Sequence, residues 1–443
     1  MRRHAMNRLM AWKEASSRKP LILQGVRQTG KTYLLTQFGE QHFRQVHIVN
    51  FEKHPELVSL FAKNLDPKRI ISELAFEHNT PIDINHDLVI FDEIQACPPA
   101  ITSLKYFCEE MPELALCSAG SLLGLHLNDT SYPVGKVNMM HLHPMTFTEF
   151  LAGVGDTMAL DVVNDYEPSM DISAIKHQRL WERLLQYYIT GGLPEIVKLF
   201  RDRQDNIFIA CRDVRERQHE LIKAYYADIA KHSGKVNAMH IDRTWRAVPT
   251  QLAGHYDTST NRFRFKDIVP TISRYRQLVN VIDWLEAAEL VLRLPIVGAF
   301  EEPIHAYTKD NLFKLMLFDV GLLGAMNGLE PGSILNSDYG TYKGYFAENF
   351  IAQQLTAITN KTLYSWQEDR SEIEFLLQSE HGVIPFEVKA GTSTRTKSLE
   401  KYLNKYPSQS AVILSANPPP VKHKPPIVHL PLYFIERALD CLY

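Results

Sequence analysis

The stretch "PLILQGVRQTGKTYLL", from Pro20 to Leu35, constrains the fold of this chain more than any other. Its apolar start reads as a buried strand, "GVRQTGKT" as a tight loop, and the residues from Lys31 onward as the first turns of a helix. Gly25 and Gly30 let consecutive backbone N–H groups turn inward, with Gln28 and Thr29 between them. The helix N-terminus adds partial positive charge, so the loop is a cradle for an anion of phosphate size. Lys31 is expected to reach the outer phosphates of a nucleotide and the Thr32 hydroxyl to ligate Mg²⁺. ATP and Mg²⁺ are therefore the expected cofactors.

A strand that ends in such a loop needs parallel neighbours. Four more apolar runs supply them: residues 45–51, 87–93, 114–120 and 136–142, each separated by helical stretches. Alternation of this kind predicts a doubly wound α/β layer with a parallel five-stranded sheet up to residue 155. "LVIFDE" places Asp92 and Glu93 at the carboxyl end of a buried strand, the edge where open α/β sheets bind ligands. Asp92 is expected in the Mg²⁺ shell and Glu93 as the general base for an attacking water. Asn50 ends the second strand, and Ser118 and Ser121 lie at the end of the fourth. Asn50 would hold Glu93 away from the water until a ligand binds, and one serine would orient that water. Thr146 and Glu149 have the spacing of a capping box.

The remaining sequence changes period twice. Residues 156–175 are acidic and aperiodic, which predicts a linker; 176–335 read as helical; 336–443 read as a smaller α/β domain. Helix 271–291 followed by "LRLPIVG" has the outline of a winged-helix unit. At 443 residues, three domains of ordinary size are expected. A net charge of −3 argues against a global field for nucleic acid, so any basic surface must be local. Five scattered cysteines, none in a CxxC spacing, fit a reducing compartment rather than a disulfide or zinc framework. The basic N-terminus lacks the apolar core of a signal peptide, and no apolar run nears the roughly 20 residues of a membrane span, so a cytoplasmic protein with no membrane partner is expected.

"GVRQTGKT", "LVIFDEIQ", "SAGSLLGL", "MHLHPMTFTEFL", "GGLPEIV", "KLMLFDVGLL", "YKGYFAENFIAQQL" and "IPFEVKAG" occur in an order that resembles bacterial and archaeal AAA-type ATPases carrying a C-terminal domain of unknown function 4143. The resemblance implies an AAA+ type P-loop NTPase core, a helical and winged-helix middle, and a PD-(D/E)xK nuclease-like tail. One departure is Gly135-Lys136, where the family usually shows Gly-Arg. Arginine suits a phosphate bidentately and lysine does not, so slow turnover is expected if that position senses hydrolysis. AAA-type ATPases often share sites between subunits, but no arginine stands out as a finger, which leaves the oligomeric state open.

Nucleases of the PD-(D/E)xK kind gather acids and a lysine around Mg²⁺. The matching residues here are Glu348 on a helix, Glu374 in "SEIEF", and Glu387 with Lys389 in "FEVKA". Glu374 and Glu387 would be the metal ligands. If the two strands turn near His381-Gly382, Glu374 lies close to opposite Glu387, an arrangement that needs a positive group between them. The family commonly has Asp where Glu374 stands, and the extra methylene puts cleavage in doubt. Lys389, Arg395, Lys397, Lys401 and Lys405 are expected either to track a phosphate backbone or to form a solvated face. Two functions follow: an ATPase coupled to a DNA-associated nuclease-like tail, or a nucleotide-gated DNA- or protein-binding module with an inactive tail.

Overall fold

The computed structural model describes residues 1–121, 133–233, 235–254, 262–270, 272, 274–391, 396–406, 408, 410–420 and 426–442. Two compact units emerge. One comprises Arg2–His143 with Ala287–Glu289; the other comprises Met1, Pro144–Glu286 and Leu290–Tyr443.

The first unit is built on strands β1 (Leu21–Gln24), β2 (Val46–Asn50), β3 (Leu88–Asp92), β4 (Ala115–Gly120) and β5 (Asn138–His141). All pair in parallel, in the order β2-β3-β4-β1-β5. Alternation along the strands explains the layering. Ile22, Val89, Phe91 and Leu116 enter a core with helices Pro67–Glu77 and Pro98–Glu110. Leu21, Leu23, Leu88, Ile90 and Cys117 enter a second core with helices Ala5–Glu14 and Lys31–His42. Both faces are thus covered, as a buried parallel sheet requires.

In the second unit, Thr146 and Glu149 form the expected capping box ahead of helix Phe147–Gly153. Residues 156–175 do not form the expected linker. They contain helix Thr157–Asn164, capped by the Asp156 side chain, which also binds Arg179 and Arg183. The acidity that suggested a solvated connector thus includes a buried cap. Pro194 opens helix Pro194–Arg203, consistent with its place after "GGL".

A seven-stranded sheet completes this unit. It comprises β6 (Val291–Val297), β7 (Phe313–Leu317), β8 (Leu363–Glu368), β9 (Ser371–Ser379), β10 (Gly382–Val388), β11 (Ala411–Ser415) and β12 (Ile427–Pro431), in the order β12-β11-β10-β9-β8-β6-β7. Helix Tyr275–Ala287 precedes β6, and β6 pairs antiparallel with β7 and parallel with β8 of the tail. Two strands from before residue 336, β6 and β7, thus join the sheet of the expected α/β tail. Among the described residues no helix is long and apolar enough to cross a membrane, and all five cysteines are free.

Candidate nucleotide site and the acidic cluster of the tail

The loop after β1 takes the shape its glycines permit. Gly30 has φ +87°, a left-handed conformation at the cap of helix Lys31–His42. A Cβ at Gly25 would meet the carbonyl oxygen of Leu142, where the chain leaves β5. Gln28 and Glu93 also have positive φ, 71° and 50°. Side-chain-bearing residues in that region cost about 1–3 kcal/mol each and cluster where geometry serves a function. The loop is also tied from outside. Arg3, which the motif reading missed, donates to the carbonyls of Thr29 (2.9 Å) and His143 (2.6 Å).

Lys31 is buried, and among the described residues its ammonium has main-chain oxygens alone within hydrogen-bond reach, Gly25 at 2.7 Å and Val26 at 3.0 Å. Burial pushes its pKa down to about 8, against the opposing pull of Glu93, Glu289 and Asp92. An ammonium held this way, buried and bonded to carbonyls, favours an incoming anion as its counter-charge. Thr32 Oγ1 donates to Asp92 Oδ1 at 2.9 Å, so the loop hydroxyl and the acidic strand end meet at one point.

Three expected roles are redistributed. Asn50 does not hold Glu93. Its amide donates to Asp92 Oδ2 at 2.7 Å, and its carbonyl caps the N–H groups of Glu52 and Lys53. Glu93 is held by Gln95, whose amide donates to Oε2 at 2.6 Å. Ser118 is spent on the Leu21 carbonyl inside the sheet, at 3.1 Å, and does not reach the site. Ser121 does, by accepting from Arg27 Nε at 3.2 Å; Arg27 also pairs with Glu52. Lys136 pairs with Glu109 at 3.0 Å, at the start of β5 and so at the opposite end of the strand from the loop. The Gly-Lys departure therefore touches no group of the nucleotide site. Gln24 and His141, adjacent in register at the ends of β1 and β5, are bonded at 2.9 Å and flank the loop.

In the tail, the strand register extends to bring Glu374 opposite Glu387, with the turn where it was expected. Glu348 joins them from helix Tyr342–Thr359. The positive groups between them are lysines. Lys389 pairs with Glu387, and Lys314 on β7 pairs with Glu372 and, at 3.7 Å, with Glu348. Glu374 Oε2 accepts the Val388 N–H at 3.0 Å. Burial raises the carboxyls of Glu348, Glu374 and Glu387, the second furthest because Glu387 and Glu348 face it. Lys314 and Lys389 move the other way from Lys31: burial acts to lower them, and the surrounding carboxylates outweigh it. Among the described residues no three His, Cys, Asp or Glu side chains converge as a metal site. Glu374 and Glu387, the expected Mg²⁺ ligands, each hold a partner from within the tail, the Val388 N–H and Lys389. Lys401 and Lys405 are paired with Asp369 and Glu368. Arg395 lies outside the described residues.

Comparison with known protein families matches three segments of the chain. Residues 17–151 match the family model of the AAA domain, residues 182–333 a domain of unknown function (DUF8612), and residues 343–433 a domain of unknown function (DUF4143). No curated protein matches the chain. Similar solved structures include the Aeropyrum pernix ORC1 protein in complex with DNA, 13% identical, covering 73% of this chain and 91% of that one, with a TM-score of 0.30. The Thermotoga maritima RuvB Holliday junction branch migration motor is 13% identical, with 67% and 90% covered and a TM-score of 0.30. AMPPCP-bound DnaA from Aquifex aeolicus is 16% identical, with 65% and 89% covered and a TM-score of 0.29. Scores this low carry nothing about function. The loop, the acidic strand end and the matched segments agree that this chain joins an N-terminal AAA domain to a C-terminal domain of unknown function (DUF4143).

Proposed function

We propose that the protein is a Mg²⁺-dependent ATPase whose nucleotide cycle switches a DNA-associated C-terminal module that does not itself cleave DNA. The observation that carries the ATPase half is the 2.9 Å bond from Thr32 to Asp92, beside a buried lysine lodged on carbonyls alone. A hydroxyl and a carboxylate are the oxygen donors Mg²⁺ takes, so Thr32 and Asp92 would hold the ion. When bound, it would neutralise charge on the phosphate oxygens.

The chain's own residues account for the rest. Backbone N–H groups from Gln28 to Thr32 bind and orient the phosphates. Lys31 leaves the Gly25 and Val26 carbonyls for the outer phosphate. Gln95 releases Glu93, whose carboxylate then takes a proton from the attacking water. Arg27, tied to Ser121, links the loop to the end of β4.

The alternative, DNA cleavage by the tail under nucleotide control, needs Glu374 and Glu387 free to take a metal. One oxygen of each is engaged, by the Val388 N–H and by Lys389 respectively. The nuclease-like tail is thus better read as a folded recognition module.

Two measurements test the proposal together: ATP and GTP turnover with and without Mg²⁺, and duplex-DNA binding by fluorescence anisotropy across a salt series. The expected results are turnover that requires Mg²⁺, and DNA binding that strengthens with ATP, weakens with salt and yields no cleaved product. Absence of Mg²⁺-dependent turnover, or DNA binding indifferent to nucleotide, overturns it.

A further inference from the structure

The acidic cluster of the tail raises a question of charge. Four carboxyl groups, Glu348, Glu372, Glu374 and Glu387, come together in and beside the sheet, and Glu387 is only 2% exposed. Such a group is stable only if something positive sits among its members. Lys389 answers for Glu387. The other cation is Lys314, and nothing in its own neighbourhood of sequence calls for it: it interrupts the core row "FKLML" of β7, every residue of which is buried. A lysine in a buried strand row is costly unless its charge has partners, and the partners are Glu372 and Glu348. Lys314 reaches this cluster from a hairpin that lies outside the span of β8–β10.

We propose that the Lys314 ammonium is the resident cation of this cluster, occupying the role that a divalent metal has in a nuclease, so that the tail neither binds Mg²⁺ or Mn²⁺ nor cleaves a phosphodiester. The reasons are chemical. Mg²⁺ demands near-octahedral oxygen coordination and tolerates distortion badly. Here Glu372 and Glu387 are occupied by ammonium groups, and one Glu374 oxygen by a main-chain N–H. An ammonium already seated among the carboxylates also repels an incoming dication. Glu387 Oε2 is buried and has no hydrogen-bond partner among the described residues, but an ion that takes about six oxygen ligands would have to displace the ammonium groups from Glu372 and Glu387 to gather its shell here. The inference rests on the non-cleaving reading of the tail but not on nucleotide turnover.

The test is Mn²⁺ titration of the full chain without nucleotide, followed by electron paramagnetic resonance of free Mn²⁺. Wild type and Glu374→Gln are expected to give the same curve. Lys314→Ala is expected to gain one site at least ~10-fold tighter, removed again by adding Glu374→Gln, while Lys314→Arg gains none. A wild-type site lost in Glu374→Gln contradicts the proposal, as does a folded Lys314→Ala protein with no gain. If Lys314→Ala does not fold, the wild-type and Glu374→Gln comparison still decides. These outcomes are distinct from failure of the ATPase reading, which appears as lost turnover with the Mn²⁺ curves unchanged.

Discussion

Two places in this chain gather carboxylates beside a buried lysine, and they do opposite things with it. At the loop after β1, Lys31 rests on the carbonyls of Gly25 and Val26, and burial lowers its pKa to about 8. In the tail, Lys314 and Lys389 rest on carboxylates, which raise their pKa values against the effect of burial. The first lysine has carboxylates nearby but is bonded to carbonyls, whereas the second pair is bonded to carboxylates directly. The difference teaches that composition does not define an ion site: the first site awaits an anion, and the second already holds cations among its own side chains.

The largest effect that could break this comparison concerns Glu93. Glu93→Gln is expected to cut ATP turnover by about 10³-fold, within the range for loss of a general base, while ATP stays bound in a filter assay. Glu374→Gln should leave turnover within twofold of wild type. A tail substitution that cut turnover as deeply would show that the two sites are one.

Stability separates the lysines next. Lys314→Ala should cost about 3 kcal/mol in a urea titration, because it strands buried carboxylates. Lys31→Met should instead stabilise the nucleotide-free protein, by up to about 2 kcal/mol at pH 7. The sign follows from the lowered pKa. Between pH 8 and the ordinary lysine value of 10.5 the unfolded chain keeps a proton that the folded chain has released. Stability therefore rises with pH across that window, and the cost of a charged Lys31 is fully present below pH 8. The advantage of methionine should shrink from pH 8 toward 10.5. If methionine is destabilising at pH 7, the site is not waiting for an anion.

Nucleotide binding should show the same proton. Phosphates favour the charged lysine, so ATP affinity should fall as pH rises past 8, by no more than tenfold per pH unit. Calorimetry in buffers of different ionisation enthalpy would detect the proton uptake.

The smallest expected effect is that of Gln95. Gln95→Ala should free Glu93 and raise basal turnover about threefold, with no change in ATP affinity. A fall in turnover would mean that Gln95 positions the base rather than restrains it.

How much of this was legible in the sequence depended on how far apart the cooperating residues lie. "GVRQTGKT" and "LVIFDE" were readable because each is contiguous, and strand alternation fixes which edge they share. Asn50 was assigned to the wrong neighbour because Asp92 and Glu93 are adjacent in sequence but face different partners. Nothing in a pattern distinguishes them. Gln95 could have been found, two residues from Glu93 in a loop with a left-handed start. In the tail, Glu348, Glu374, Glu387 and Lys389 were readable as a set. Lys314 was not, because a single lysine in "FKLML" looks like an exposed position in an edge strand, and its partners lie 34 and 58 residues further on. The acidic stretch after residue 155 misled for a related reason: Asp156 is buried by arginines from a later helix.

Isothermal titration calorimetry of ATP with Mg²⁺ into wild type, Lys31→Ala and Lys389→Ala tests the central claim most directly. The account predicts Mg²⁺-dependent heat with one ATP per chain, an affinity loss on the order of 100-fold in Lys31→Ala, in line with a charge-assisted contact, and a wild-type curve for Lys389→Ala. Equal binding by all three proteins, or no heat from any of them, would contradict it.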